Sequence, residues 1–245
     1  MPSSPGTVPS RSSVPAPADL ATLDAAICDC RRCPRLVAWR EEVAVVKRAS
    51  YIDEEYWGRP VPGFGSLVPT IWIVGLAPAA HGANRTGRMF TGDRSGDWLF
   101  GSLHRVGLAS HGTSTTRGDG QLLDQVRITA AVHCAPPDNK PTTDEKAACG
   151  DWLDAEIGII EPTVRAIVAL GGIAWLATQK ALRTAGWQID RTAFGHGAST
   201  VATSPSGHAV LVLASYHPSQ QNTFTGRLTE PMLDDVLGRA RDASI

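Results

Sequence analysis

From residue 70 onward the chain alternates between short apolar runs and longer amphipathic segments, and this alternation constrains its fold more than any other feature. Runs rich in Val, Ile and Leu, each about the length of a β-strand, lie at 70–75, 126–132, 164–170 and 209–215. Helical patterns lie between and after them, at about 94–106, 143–160, 173–185 and 230–241. Near-continuously apolar strands separated by helices are typical of a parallel sheet covered on both faces. The sequence therefore predicts an α/β fold.

Unusual loops follow three of these predicted strands. The loop at 77–93 is much longer than the roughly two to six residues that join a strand to a helix in most α/β units. Two further loops, rich in Pro and polar residues, lie at 134–141 and 216–222. Ligands of open parallel sheets bind beyond the carboxyl ends of the strands. We therefore expect a functional site where these three loops meet.

The composition is that of a globular protein, with one large domain or two small ones. The 245 residues are 42% hydrophobic and 19% charged, and the net charge of −1 provides no overall basic field for nucleic acid. Any basic surface must therefore be local. Residues 1–18 are rich in Ser, Pro and Ala and predict a disordered tail, which leaves 19–245 as a single domain. No segment resembles a signal peptide or a membrane span, so a cytoplasmic location is expected.

The cysteines suggest a metal or cluster site. Cys30 and Cys33 form a CxxC pair between predicted helices at 19–28 and 34–47. Cys134 follows the second predicted strand and Cys149 lies in the next helix, which leaves Cys28 over. Cytoplasmic cysteines are more often ligands or catalysts than disulfides, and a CxxC pair lets two thiolates bind one metal. The spacing does not choose between zinc and iron–sulfur, and scattered core thiols are the alternative.

Asp93 and His217 are the strongest candidates for chemistry, although each has an ordinary structural interpretation. Asp93 stands directly before a predicted helix, where aspartate is often the N-cap. His217 precedes a proline and could belong to a simple turn, as could Asn139. Phe90 alone would suggest a core position. Their common placement at one edge of the sheet favours a functional interpretation. Nearby basic residues could form a binding surface or merely a solvated face: Arg85, Arg88, Arg94, Lys140 and Arg227.

Three motifs carry a resemblance to a known family. The first is GLAPAAHGANRTG at 75–87, which continues into FTGD at 90–93. The second is CAPPDNKP at 134–141, and the third is SYHPSQQNT at 215–223, followed by TGRLT at 225–229. In these motifs and in their order, the sequence resembles the uracil-DNA glycosylase superfamily, and specifically its iron–sulfur family 5. The resemblance extends from about residue 30 to the end.

The resemblance implies an architecture and a cofactor. The expected fold is a monomeric three-layer α/β/α sandwich around a four-stranded parallel sheet. A structural 4Fe–4S cluster is expected on Cys30, Cys33, Cys134 and Cys149. A role for Cys28 as a ligand in place of its neighbour Cys30 stays open, because the spacing allows it.

The resemblance also implies an activity: excision of uracil from double- and single-stranded DNA during base-excision repair. A glycosylase extrudes the target nucleotide and stabilises a cationic sugar and an anionic leaving base. Asp93 would stabilise the cationic sugar or orient water, and His217 would stabilise the anionic base. Asn139 would lie close to the reacting sugar or to the water. The base pocket would comprise Gly75, Ala77, Ala79 and Phe90, with Phe90 stacked on the base. The expected DNA contacts are Arg85, Ser219, Gln221 and Asn222, with Gln221 filling the gap left by the extruded base.

One departure from uracil-specific relatives affects the expected substrates. Leu76 and Ala77 occupy motif positions where those relatives carry a water-activating polar residue, and Ala130 replaces a uracil-reading Asn. These replacements are typical of family 5 and imply a looser pocket that also accepts hypoxanthine, xanthine and ethenocytosine.

Rival functions remain at this point. A non-catalytic iron–sulfur DNA-binding module is the main alternative. A nucleotide hydrolase is disfavoured because the first loop lacks the GxxxxGK[ST] pattern. A crosslinking type of glycosylase is disfavoured because no Arg-rich insertion follows the first motif.

Overall fold

A computed structural model describes residues 17–245, and within them the chain forms a mixed sheet of seven strands. The predicted disordered tail at 1–18 lies almost entirely outside the described residues. The strand order across the sheet is β1-β3-β2-β4-β7-β6-β5. The strands are β1 Phe64–Gly65, β2 Ile71–Gly75, β3 Val126–Ala130, β4 Ala166–Leu170, β5 Gln188–Ile189, β6 Ser199–Thr203 and β7 Ala209–Ser215.

The sheet is larger than the four-stranded parallel sheet that was expected. The four predicted strands lie side by side at its centre and run parallel, with Ile73 opposite both Ile128 and Val168. Strand β1 adds to one edge and β6 and β5 to the other, all antiparallel. These three strands were missed because they are very short or half-exposed, so they lack the continuous apolar run of a central strand.

The long helices begin and end within about two residues of their predicted bounds, because their sequences carry clear end signals. Thr142 and Glu145 form a capping box at the start of α5, and Pro34 occupies the first turn of α2. The helices are α1 Leu20–Cys28, α2 Pro34–Val46, α3 Ala83–Thr86, α4 Arg94–Arg105, α5 Thr143–Ile160, α6 Gly172–Thr184, α7 Gln220–Phe224 and α8 Glu230–Asp242. Short 3₁₀ turns lie at Ala49–Tyr51 and Pro137–Asn139.

Helices cover both faces of the sheet, which gives the three layers. Trp72 and Val74 of β2 point into a core shared with α1, α5 and α6, whereas Ile71 and Ile73 point into a core shared with α4 and α8. Each such buried side chain contributes about 1.5–3 kcal/mol to folding. Among the described residues, no helix is long and apolar enough to cross a membrane.

A buried ionic network fastens two helices to the sheet. Arg127 of β3 is fully buried and donates to Glu156 of α5 at 2.5 Å and to Asp24 of α1 at 2.7 Å. The indole N–H of Trp72 also donates to Glu156, at 3.1 Å. Because an unpaired buried charge is costly, each partner in this network depends on the others. The sheet edge that carries the loops is therefore held on a rigid base.

Candidate active site

The three loops meet around a cavity of about 310 Å³ at the carboxyl edge of the parallel strands. Seven of the residues predicted from the sequence line it: Ala77, Ala79, Phe90, Asp93, Asn139, His217 and Ser219. The remainder of the lining is Leu76, Pro78, Ala83, Met89, Ser95 and Ala130. The structure thus brings together side chains from all three sequence motifs.

Asp93 is both a helix cap and a wall of the cavity. Its Oδ1 accepts a hydrogen bond from the Gly96 amide at 3.0 Å, at the start of α4. Its Oδ2 lies against Gly82, where a Cβ atom would overlap the carboxylate. Burial raises the pKa of Asp93, and the amides of Gly96 and Ser95 oppose that rise. The N-cap and the functional interpretations of this residue are therefore compatible.

His217 presents a neutral imidazole to the cavity. Burial lowers its pKa to about 4, so the ring carries no charge near pH 7. The ring centroid lies 5.8 Å from that of Phe90, and the two planes are tilted by 31°. A neutral imidazole has one N–H donor, which can stabilise developing negative charge on a bound group.

Phe90 and Asn139 both occupy the left-handed backbone region. Phe90 has a φ of 52°, and its ring lies over Gly75, where a Cβ atom would be only 2.8 Å away. Asn139 has a φ of 55° and follows Asp138 at 53°. Asn and Asp adopt this conformation readily, whereas for Phe90 it is unusual and costs about 1–3 kcal/mol, and such strain concentrates at functional sites. Gly75 thus belongs to the site by letting the aromatic ring approach the backbone.

Arg85 has a different place from the one predicted. Its side chain is only 7% exposed, whereas the prediction placed it on the surface. The guanidinium pairs with Glu54 and donates to the carbonyl oxygens of His81 at 2.9 Å and Gly92 at 3.0 Å. These protein groups already occupy the Nε, Nη1 and Nη2 atoms of the guanidinium, and the predicted contact of Arg85 with DNA stays a prediction.

In the segment from His217 through α7, some side chains bond within the protein or line the cavity, and others are exposed to solvent. The Asn222 side-chain amide donates to the His217 carbonyl oxygen at 2.8 Å, and its role as a DNA contact stays a prediction. Ser219 lies at the mouth of the cavity as the N-cap residue of α7. Gln221 is exposed on α7 and remains free to contact a partner.

Three exposed cations lie close in sequence to residues that line the cavity, although the net charge of the chain is −1. Arg94 directly follows Asp93 and lies 5.4 Å from the Phe224 ring, and Arg227 lies 4.4 Å from the Tyr216 ring. Lys140 directly follows Asn139 and is exposed. These three side chains are candidates for the local basic surface that a nucleic-acid-binding protein of this net charge needs.

Several residues of the site were not predicted. Met89 and Ser95 line the cavity beside predicted residues, and Tyr51 and Glu54 hold Arg85 from outside the first motif. Met89 and Ser95 could have been suggested by their closeness to Phe90 and Asp93. Tyr51 and Glu54 lie in a segment with no periodic pattern, and no local signal connects them to the site.

A second, smaller cavity is lined by four cysteines: Cys30, Cys33, Cys134 and Cys149. Cys28 is not among its lining residues. Burial raises the pKa of the Cys134 thiol to about 11, and the buried Arg40 guanidinium donates to its sulfur at 2.9 Å. Burial likewise raises the pKa of Cys149, whose sulfur accepts the His133 amide at 3.3 Å. Within residues 17–245, no three His, Cys, Asp or Glu side chains converge as the ligands of a single metal ion do.

The fold and the cavity at the carboxyl edge of the sheet indicate a protein that binds a planar heterocycle. The cavity combines an aromatic ring, a carboxylate and a neutral imidazole at the carboxyl edge of a parallel sheet, with cations outside it. The ring can stack on a planar heterocycle while the polar groups act on its substituents. The cations suit a polyanion attached to that heterocycle.

Comparisons with known proteins identify the family. A model described as the Uracil DNA glycosylase superfamily matches residues 62–240. A "Type-5 uracil-DNA glycosylase" of Mycobacterium leprae is 58% identical over 220 residues, which are 89% of this chain and 93% of the relative. A protein with the same name in Thermus thermophilus is 52% identical over 212 residues, which are 86% of this chain and 92% of the relative. The chain therefore belongs to the uracil DNA glycosylase superfamily, within its type-5 group.

Proposed function

We propose that this protein is a uracil-DNA glycosylase of base-excision repair, which hydrolyses the bond between uracil and deoxyribose and leaves an abasic site. The observation that carries the proposal is the convergence of Asp93, Asn139, His217 and Phe90 on one cavity. Membership of the type-5 group supports the same substrate, since relatives 52–58% identical bear that name.

The reaction demands charge stabilisation on both sides of the breaking bond. As the C1′–N1 bond lengthens, positive charge grows on the sugar and negative charge on the uracil, and water then adds to C1′. The Asp93 carboxylate suits the cationic sugar, and the neutral His217 N–H suits the anionic base. A single well-placed electrostatic group of this kind contributes about 2.7–4 kcal/mol to catalysis. Asn139, at the mouth of the cavity, has an amide that can orient the attacking water.

The lining of the cavity supports a range of bases wider than uracil. Leu76, Ala77 and Ala130 supply no acid, base or hydrogen-bonding side chain. A pocket without side chains matched to one base edge discriminates weakly between bases. We therefore include hypoxanthine, xanthine and ethenocytosine among the proposed substrates. The protein is proposed to act as a monomer.

A structural 4Fe–4S cluster is proposed at the cysteine cavity. The donor set fits: four thiols line one cavity, with the Arg40 cation against the sulfur of Cys134. Bound iron would supply the positive charge that holds buried thiols as thiolates, and four thiolates are the usual ligands of such a cluster. Cys30 and Cys33 precede α2, Cys134 follows β3, and Cys149 lies in α5, so a cluster here would join three parts of the chain.

The decisive experiment replaces Asp93 by Asn and measures single-turnover release of uracil from a U·G duplex. We expect a rate at least ~10²-fold lower, because transition-state stabilisation is lost while the side-chain shape is kept. Affinity for the duplex, measured by fluorescence anisotropy, should stay within about twofold of the wild type, since the carboxylate contributes little to ground-state binding. Asn can still accept the hydrogen bond from the Gly96 amide, so the cap of α4 survives.

A wild-type protein that binds the duplex but releases no base would support the rival, a non-catalytic DNA-binding module. Wild-type rates in the Asp93 variant would reduce Asp93 to a helix cap. Release of hypoxanthine, xanthine and ethenocytosine, measured in parallel duplexes, tests the wider substrate range. Release of uracil alone would refute that range without affecting the main proposal.

A further inference from the structure

The guanidinium of Arg85 links two backbone positions in the loop that carries Asp93. Arg85 lies in the middle of this loop, on the short helix α3. Its Nε donates to the carbonyl oxygen of His81, near the start of the loop, and its Nη2 donates to the carbonyl oxygen of Gly92, near the end. The planar fork of an arginine fixes both the distance and the relative direction of two such acceptors.

The outer side of the same guanidinium is fixed by residues that precede the sheet. Glu54 pairs with Nη1, and the Tyr51 ring lies 4.0 Å from the guanidinium carbon. The side chain is therefore held on three nitrogens and stacked on a ring. This arrangement leaves Arg85 little freedom to turn toward a phosphate.

The two carbonyls that Arg85 holds flank the contact between Gly82 and Asp93. His81 immediately precedes Gly82, and Gly92 immediately precedes Asp93. Gly82 lies directly against the Asp93 carboxylate, and a Cβ atom there would overlap Oδ2. Gly92 has a φ of 79°, and a Cβ atom there would overlap the Arg85 guanidinium. The close packing of both glycines means that the position of Asp93 depends on the distance between the two carbonyls.

We propose that Arg85 is a positioning residue that fixes the orientation of the Asp93 carboxylate by joining the backbone at His81 to the backbone at Gly92. The inference rests on the proposed catalytic role of Asp93. It also assigns a purpose to the segment around Tyr51 and Glu54, which lies outside the three motifs and completes the support of the catalytic loop.

The experiment compares Arg85→Lys with Arg88→Lys, the same replacement in the same loop. Arg88 is equally buried, but its bonds run to the side chains of Thr91, Ser114 and Asp119 rather than to the backbone beside Asp93. Lysine keeps the charge but cannot form the fork. We expect Arg85→Lys to lower the single-turnover rate on U·G by ~10–100-fold, as a misplacement of about 1 Å does. Duplex affinity should change less than about twofold, and Arg88→Lys should keep the wild-type rate in its folded fraction.

A double variant separates positioning from an independent effect. If Arg85 acts through Asp93, Arg85→Lys combined with Asp93→Asn should be no slower than Asp93→Asn alone. Multiplied effects in the double variant would overturn the proposal. So would equal slowing by Arg88→Lys, which would indicate general weakening of the loop, or weaker DNA binding with an unchanged rate, which would make Arg85 a DNA contact. A wild-type rate in Asp93→Asn would instead refute the proposed function itself.

Discussion

At the scale of single residues, removal from water is the main influence on the charges of the site. Burial raises the pKa of Asp93 and lowers that of His217, so both shifts favour the neutral form. Backbone hydrogen bonds to the Asp93 carboxylate oppose the rise in its pKa. No other interaction opposes the fall in the pKa of His217, for which burial is the only cause. The site thus pairs a hydrogen-bonded carboxylate with an uncharged donor, which matches opposite charges on sugar and base.

The lowered pKa of His217 predicts a specific dependence of stability on pH. Between pH 6.5 and 4 the unfolded chain binds a proton at this histidine and the folded protein does not, so stability falls as the pH falls. Because the ring is partly open to the cavity, the loss is at most about 3 kcal/mol. His217→Gln should therefore lose less stability than the wild type between pH 7 and 4.5, by up to about 2 kcal/mol, in urea unfolding experiments.

The other histidines with lowered pKa values, His81, His133 and His196, are present in both proteins, so the difference isolates His217. Parallel pH curves for the two proteins would show that His217 is protonated as readily in the folded state as in the unfolded one.

At the scale of elements, the connections after the strands carry the residues of the proposed site, and short or long helices follow them. Helix α4 begins at the cap formed by Asp93, which joins the catalytic loop to a rigid element. Helix α7 is only five residues long and places Gln221 outward, beyond His217 and Ser219.

Because Gln221 is exposed on α7, we expect its side chain to hold the duplex open after the base has left the stack. Extrusion costs a few kcal/mol, least where the pair is already mismatched. Gln221→Ala should therefore slow base release more on U·A than on U·G or single-stranded DNA, measured in single turnover. Gln220→Ala, at the neighbouring exposed position, should behave as the wild type does on all three substrates. Equal slowing of Gln221→Ala on all three would mean that α7 shapes the pocket instead.

At the scale of the whole molecule, contacts between residues far apart in the sequence hold the helices against the sheet. The Arg127 network joins α1 and α5 to β3, and the cysteine cavity joins the segment before α2 to β3 and α5. Both lie on the sheet face that packs against α1 and α5, away from α4 and α8. The catalytic edge thus receives its rigidity from groups that take no part in the reaction.

If the proposed cluster is present, the protein should be coloured, and loss of the cluster should lower its melting temperature. Anaerobically purified protein should be brown, with broad absorption near ~400 nm from a cluster on four thiolates. Cys149→Ser should lose this absorption and lower the melting temperature by roughly 5–10 °C, equivalent to about 2–3 kcal/mol in a chain of this size. Cys28→Ser should keep both properties, because Cys28 does not line the cavity. Colourless protein that contains zinc would contradict the cluster.

The sequence by itself determined the central sheet, the long helices and the edge where the site lies. Strands β2, β3, β4 and β7 are rich in Val, Ile, Leu and Ala, and the ends of helices such as α5 carry local caps, so short-range patterns suffice to place them. Asp93, Asn139 and His217 were predictable as a group because parallel strands bring their carboxyl ends to one edge.

Only the tertiary structure decided which polar side chains face the ligand and which hold the protein together. Arg85 and Asn222 lie in the same motifs as the cavity residues, yet their donors go to backbone carbonyls of the chain itself. Strands β5 and β6 likewise form only because a neighbouring strand offers an edge. The physical reason is the same in both cases: a hydrogen-bonding group is satisfied equally by water, by DNA or by a distant carbonyl, and only burial selects among these partners.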